Sequence, residues 1–289
     1  MKKQFKLTKY HINHNYFNNI NNDEKAYILG FISADGGVYN NTLTISQSTY
    51  KGEILLEWIK NNLDSNHVLY HRKQKKITHN IINVLTITSP QIVEDLQRYN
   101  ISKNKKYFLE FPNELNLIYF KPYLRGYFDG DGCVGVYNEK KIKNNKTYLS
   151  KYLKLSFYGT KKFILKCNDL LPIELRGRIM YSKDNRHAEI IWTNKKARNF
   201  GKWLFENNNN LPTYVKIKKY IKYIEEFDNT PTVSERASKI VLQKDFNNIL
   251  INEYKSITEV KKILHISIGN CLIGLTKTAG GFIWEYKNF

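Results

Sequence analysis

At 289 residues the chain has room for two domains of ordinary size, or for one two-fold repeated core with an appendage. Its 46 Lys and Arg against 26 Asp and Glu leave a formal charge of +20, spread along the length instead of held in one tail, which points to a polyanion and to nucleic acid first. Three cysteines without paired spacing exclude a disulfide scaffold, and no apolar run is long enough to cross a bilayer. Abundant Lys, Asn, Ile and Tyr also fit an AT-rich coding bias, but Arg is present and acids are not correspondingly enriched. The charged N-terminus is followed by no apolar segment of the signal-peptide kind, so an intracellular protein with reduced thiols is expected, with no membrane partner.

In chain order, Asp23 is placed to cap a helix from Glu24, whose Ala26, Ile28, Leu29 and Ile32 form a broad apolar stripe. That helix ends in Ile28-Leu29-Gly30-Phe31-Ile32-Ser33-Ala34-Asp35-Gly36. The period then becomes alternating: Leu43 and Ile45 between Thr42, Thr44 and Ser46 predict a strand, with further strands over 68–72 and 83–88. Helices are expected over 52–61 and from Ser89, a cap before Pro90, to Tyr99. A second copy of the motif, Leu124-Arg125-Gly126-Tyr127-Phe128-Asp129-Gly130-Asp131-Gly132, stands 96 positions on, after Pro122 in a first-turn position. Strands over 134–139, 152–157, 177–181 and 188–192 follow, with helices over 161–170 and 195–207. Each half thus reads helix, hairpin, helix, hairpin, helix. An α+β fold of two pseudo-symmetric halves follows, with boundaries at 1–112 and 113–230 and a C-terminal module over 231–289.

Small residues recur at a spacing of four in both motifs, Gly30 with Ala34 and Gly126 with Gly130, leaving a smooth face on which the two helices can pack closely. Each motif also sets a carboxylate, Asp35 or Asp131, at a helix C-terminus, where the helix dipole disfavours negative charge unless a cation offsets it. One Asp-Gly after an apolar run is commonly just a turn. An EF-hand at Asp129-Gly130-Asp131-Gly132 fails, because Cys133 and Val134 stand where an oxygen ligand and a glycine are required. Two apposed acids suit Mg2+, which takes one or two carboxylates and keeps water and phosphate oxygens, with Mn2+ as a substitute. Charge clusters at the expected hairpin tips, residues 71–76 and 140–146, read as solvated tips or as groove contacts; recurrence in both halves favours binding.

The two motifs resemble those of the LAGLIDADG homing endonucleases in their single-chain, two-motif form, over roughly the first 230 residues. The resemblance implies two αββαββα halves, with the motif helices as the interface and a concave sheet along double-stranded DNA. It implies that Asp35 and Asp131 are catalytic metal ligands, aided by the backbone carbonyls of Ala34 and Gly130. Ser33 stands where the pattern has an earlier acid, which Asp129 retains. Gln47 matches the usual glutamine of the first half; the second has Phe157-Tyr158-Gly159 there. Lys195 is the expected basic residue at the site, with Lys183 and Lys103 as rivals.

Beyond residue 230, Ser256-Ile257-Thr258-Glu259 is a capping box opening a helix through Leu264, a second helix is expected over 268–275, and 277–286 reads as a turn and strand. This part resembles NUMOD-type helix-turn-helix modules, which implies DNA contacts near Ser267, Asn270 and Lys277; a helical hairpin packed on the core is the alternative. The combined expectation is a monomeric Mg2+-dependent endonuclease that breaks both strands at a long site and promotes homing of a mobile intron or its reading frame. Rivals are a maturase that binds intron RNA and a DNA-binding protein that does not cut. An intein is not expected, since the chain lacks the splice-junction residues at its ends.

Overall fold

The structure is a computed structural model that describes residues 10–48, 50–73, 81–143, 146–206, 210–212, 215–228 and 239–287. It divides into two compact units, Met1–Phe227 and Asp228–Phe289.

Within the first unit the order is α1 (Asp23–Asp35), β1 (Gly36–Tyr39), β2 (Thr42–Ser48), α2 (Tyr50–Asn62), β3 (Tyr70–Lys73), β4 (Ile81–Thr88) and α3 (Pro90–Arg98). A short α4 (Lys105–Phe108) follows, and then the order repeats. The second round is α5 (Phe120–Asp131), β5 (Gly132–Lys143), β6 (Lys146–Thr160), α6 (Lys161–Leu170), β7 (Arg178–Tyr181), β8 (His187–Thr193) and α7 (Asn194–Phe205). Both sheets are antiparallel and have corresponding orders, β1-β2-β4-β3 and β5-β6-β8-β7. The fold is therefore α+β, and the elements expected from hydrophobic period are present with shifted ends. Asn22, not Asp23, caps α1, its side chain accepting from the Lys25 N–H, so Asp23 becomes the first helical residue.

Buried alternate strand residues, Leu43, Ile45, Leu85 and Ile87 in one half and Leu153, Leu155, Ile190 and Trp192 in the other, join α1 and α5 in one continuous core. Val215–Asp228 forms a further helix, α8, which the sequence reading did not anticipate. Its Tyr220 ring lies 5.0 Å from that of Phe205, and the Tyr220 hydroxyl donates to the Arg198 carbonyl, which fixes α8 on α7. Residues 74–76 of the first charge cluster lie outside the described residues, as do 144–145 of the second.

The second unit contains β9 (Val241–Lys244), β10 (Leu250–Tyr254), α9 (Ile257–Leu264), α10 (Gly269–Leu272) and β11 (Ile283–Tyr286). The expected final strand, β11, is joined by two that were not expected, and the three-stranded antiparallel sheet β10-β9-β11 shares a small core of Val241, Tyr254, Val260, Ile268, Cys271 and Trp284 with the helices. Half of the capping box is made: Ser256 accepts from the Glu259 N–H, while Glu259 reaches back to the Lys255 N–H, one residue before the cap, at 2.5 Å. The second helix is shorter than the expected 268–275. Gly274 takes a left-handed φ of 79°, and the Leu275 N–H turns back to the Asn270 carbonyl, closing the helix after one turn. Ser267, Asn270 and Lys277 are all exposed. Among the described residues no helix is long and apolar enough to cross a membrane.

Candidate active site

The interface of α1 and α5 positions the acids. A Cβ added at Gly30 would overlap the Tyr123 carbonyl oxygen and lie 2.8 Å from its carbon; one at Gly126 would meet the Tyr27 carbonyl in the same way. The helices thus touch backbone to backbone at two glycines related by the repeat. One turn on, Gly130 faces the Ala34 methyl, and its missing Cβ would stand 3.2 Å from Asp35 Oδ2. Asp35 and Asp131 are the last residues of their helices, followed by Gly36 and Gly132 in extended backbone. Close packing therefore carries the two carboxylates to one place.

Further down the interface the repeat is kept in geometry but changed in chemistry. The Tyr123 hydroxyl donates to Ser33 Oγ at 3.0 Å, and the Tyr27 hydroxyl donates to Asp129 Oδ2 at 2.9 Å. Ser33 in turn donates to the Leu29 carbonyl, whereas Asp129 pairs with Arg125 Nε at 2.9 Å, both side chains shut off from solvent. Position 29 is Leu where position 125 is Arg, so the acid and its counter-ion are lost together in the first half. Burial pushes the Asp129 carboxyl up, and Arg125 and Tyr27 oppose it. Arg125, whose guanidinium also lies 4.4 Å from the Phe205 ring centre, had not been singled out from sequence; its i,i+4 spacing to Asp129 was the available signal.

Around the acids, Gln47 Nε2 donates to Asp35 Oδ2 at 2.5 Å. Burial raises the Asp35 pKa, opposed by that hydrogen bond and by Lys105 and Lys216. Asp131 keeps solvent contact, yet the protein packed about its carboxyl, then the charge of Asp35, raise its pKa too; Lys105, Lys216 and Tyr127 oppose the rise. Lys105, at the head of α4, donates to the Ser33 carbonyl at 2.6 Å and to the Ala34 carbonyl at 2.5 Å. Lys216, on α8, donates to the Gly130 carbonyl at 3.3 Å and to the Gly132 carbonyl. Burial lowers Lys105 to about 8 against the pull of Asp131 and Asp35, and lowers Lys216 as well. A cavity of about 120 Å3 opens beside this group, lined among others by Ala34, Lys105, Tyr127, Asp131 and Tyr158.

Asp35, Asp131, Ala34, Gly130 and Gln47 thus come together. Lys195 does not join them: α7 buries Ala197, Phe200, Gly201 and Leu204, which leaves Lys195 on its exposed side. Lys103 lies over the Tyr39 ring at 4.7 Å, and Lys183 is exposed in the β7–β8 turn. Lys105 and Lys216 take the expected place instead. Each follows the last helix of its half and reaches the repeat-related carbonyl, a relation visible only once the halves are superposed in space.

Among the described residues no three His, Cys, Asp or Glu side chains cluster to hold a metal. The donors on offer are two carboxylates and backbone carbonyls, an all-oxygen set suited to a hard divalent cation. Two ammonium groups lie against the carbonyls of Ala34 and Gly130, so these oxygens accept cationic partners in the structure. The residues present therefore fit such an ion.

No family model matches the chain. It is 22% identical over 240 residues to the DNA-directed RNA polymerase subunit Rpo1C of Methanocaldococcus jannaschii, an alignment that takes 82% of this chain. The chain spans only about a quarter of that relative's length, 26%. Among solved structures, the I-LtrWI LAGLIDADG homing endonuclease bound to target DNA superposes with a TM-score of 0.51 at 18% identity, over 75% of this chain and 91% of that one. The I-SmaMI LAGLIDADG homing endonuclease bound to cleaved DNA gives 0.49 at 15% identity, over 72% and 89%. With the repeated αββαββα order and the paired motif helices, the first of these likenesses establishes that this chain has the fold of a LAGLIDADG homing endonuclease.

Proposed function

We propose that this chain is a site-specific DNA endonuclease that uses a divalent cation, Mg2+ by preference, to break both strands of double-stranded DNA. The observation that carries this is the meeting of Asp35 and Asp131 at the ends of two helices, with ammonium groups on the adjoining carbonyls. Binding alone has no use for two carboxylates forced together against burial and mutual repulsion.

Asp35, Asp131 and the carbonyls of Ala34 and Gly130 would hold the ion, which when bound supplies Lewis acidity to a scissile phosphate and lowers the pKa of a coordinated water. Gln47 fixes one Asp35 oxygen and leaves the other free to bind. Lys105 and Lys216 oppose the rise that burial gives both carboxyls and offset the charge of an incoming phosphate. Burial brings Lys105 down to about 8 and its ammonium lies against the Ser33 and Ala34 carbonyls, beside the acids. Formal charge of +20 supplies the long-range attraction to DNA, and the second unit, with Ser267, Asn270 and Lys277 exposed, adds a second contact that lengthens the site. The protein acts as a monomer, since both half-sites are in one chain, and a self-contained cutter of this kind suits homing of a mobile intron.

The test is incubation of a duplex library with Mg2+ and wild type, Asp35→Asn or Asp131→Asn. Wild type should leave double-strand ends, and each variant should lose cleavage by roughly a thousandfold or more while still shifting DNA in a gel. Normal cutting by both variants refutes the assignment.

A further inference from the structure

Helix α4, which delivers Lys105, is a single turn, and a single turn fixes several residues for very few internal hydrogen bonds, so it does not hold its shape alone. The Leu109 N–H reaches the Lys105 carbonyl at 2.7 Å and the Tyr107 N–H the Asn104 carbonyl at 2.9 Å. Other carbonyls at its C-terminal end need partners from elsewhere, and two come from the sheet of the second half. His187 Nε2, on β8, lies 2.8 Å from the Lys106 carbonyl, and the Thr160 hydroxyl, at the end of β6, donates to the Leu109 carbonyl. Thr160 and His187 stand opposite each other in the strand register, so one rung of the sheet grips the short helix twice. A carbonyl only accepts, so Nε2 carries the hydrogen, and protonation of the ring at Nδ1 leaves the bond in place. Tyr158 stacks on the imidazole at 5.4 Å and 15°, which sets the plane of the ring. Lys105, Thr160 and His187 line the same cavity as Asp131. The first half has no counterpart of this donor: Gly36 pairs with Ile45 and Gly132 with Phe157, so Ser48 and Ile82 correspond to Thr160 and His187, and Ile82 has no hydrogen to give. Lys216 rides instead on α8, which Tyr220 fixes on α7.

We propose that His187 is a positioning residue for Lys105: by donating to the Lys106 carbonyl it holds α4 in the place from which the Lys105 ammonium reaches the Ser33 and Ala34 carbonyls, at 2.6 and 2.5 Å. This rests on the nuclease reading and deepens it. The lysine serves the end of the first motif helix, yet its anchor stands on the sheet of the second half. Placing Lys105 therefore requires the two halves to be joined in register, whereas Lys216 is placed by elements of the half whose carbonyls it meets.

The experiment uses the full chain and a duplex selected by wild-type cleavage from a randomised pool, cut under single-turnover conditions. His187→Ala should lower the cleavage rate about fivefold at unchanged DNA affinity, as expected for one lost hydrogen bond that matters after binding. His187→Gln, whose amide nitrogen can take the place of Nε2, should stay within about twofold of wild type. In a Lys105→Met background His187→Ala should slow cleavage no further, because a residue that acts through Lys105 then has nothing left to place. A second readout needs no cleavage: hydrogen exchange at the Tyr107 and Leu109 amides should be several-fold faster in His187→Ala and restored in His187→Gln, with the amides of α8 unchanged. Additive losses in the Lys105→Met background, weaker DNA binding in place of slower cutting, or no restoration by glutamine overturns the proposal. If wild type cuts no duplex, the nuclease reading fails, and exchange alone decides whether His187 holds α4: unchanged protection in His187→Ala rejects it.

Discussion

Gly30→Ala tests the backbone contact on which the whole site depends. In an ordinary helix interior this change stabilises by about 1 kcal/mol, because alanine gives up less backbone entropy. Here the new methyl would overlap the Tyr123 carbonyl oxygen and sit 2.8 Å from its carbon and 3.0 Å from the Tyr127 nitrogen. None of these atoms is a side chain that can swing aside. To restore ordinary contact α1 and α5 must part by about 1 Å or more, opening a core in which Tyr27, Phe31, Tyr123 and Phe128 are wholly or almost wholly buried. Overpacking of this kind costs roughly 1–3 kcal/mol, and a rigid backbone partner puts Gly30→Ala at the upper end, net of the propensity gain. Gly269→Ala is the control, since a Cβ there meets nothing within 4 Å and the change should be neutral or slightly stabilising. Urea denaturation of both variants measures the difference, and a cleavage assay reports whether the acids, one turn beyond the contact, have been drawn apart. A Gly30→Ala protein as stable as wild type would refute the close approach.

Asp129→Ser should cost roughly 3–5 kcal/mol in chemical denaturation, because it strands the Arg125 guanidinium in the core. Adding Arg125→Leu, which copies the Leu29 and Ser33 of the first half, should recover most of that loss; no recovery would mean that the ion pair is not what the change disturbs. The folded-state pKa of Lys105 is lowered to about 8, so the unfolded chain binds that proton more tightly and the charged amine opposes folding. In metal-free protein the stability deficit of wild type relative to Lys105→Met should therefore be full below pH 8 and shrink as pH rises from about 8 toward the ordinary lysine value of about 10.4. A pH-independent difference would argue against a strained ammonium. Finally, DNA affinity should fall steeply with salt, with a log-log slope of about −0.9 for each phosphate contacted; a flat response in a filter-binding titration would remove the electrostatic argument.

Much of the first unit was legible before any coordinates. Period changes from helical to alternating marked the elements, and the glycine and alanine spacing in the motifs announced a close helix pair. These signals are local: they depend on which residues share one face of one element. Of the C-terminal sheet only β11 was expected; β9 and β10 were missed because they are short, and β10 leaves Leu250 and Ile251 exposed, so its residues show no buried alternation. Helix α8 was legible in hindsight through Ile217, Tyr220, Ile221 and Ile224, spaced for one helical face.

Asp35 and Asp131 could be named from sequence because each closes one copy of a repeated motif, and Gln47 because the family resemblance implies a glutamine there. Lys105 and Lys216 could not, and Lys195 was expected in their place. A long flexible side chain reaches a site from whichever element the fold sets beside it, and α4 and α8 lie at different distances from their motifs along the chain. The sequence by itself determined the repeat, the two acids and the glycines that let their helices meet. Only the tertiary structure decided which lysines offset those acids and which donors hold them, because those contacts join elements tens of residues apart and depend on where the packed backbones leave room.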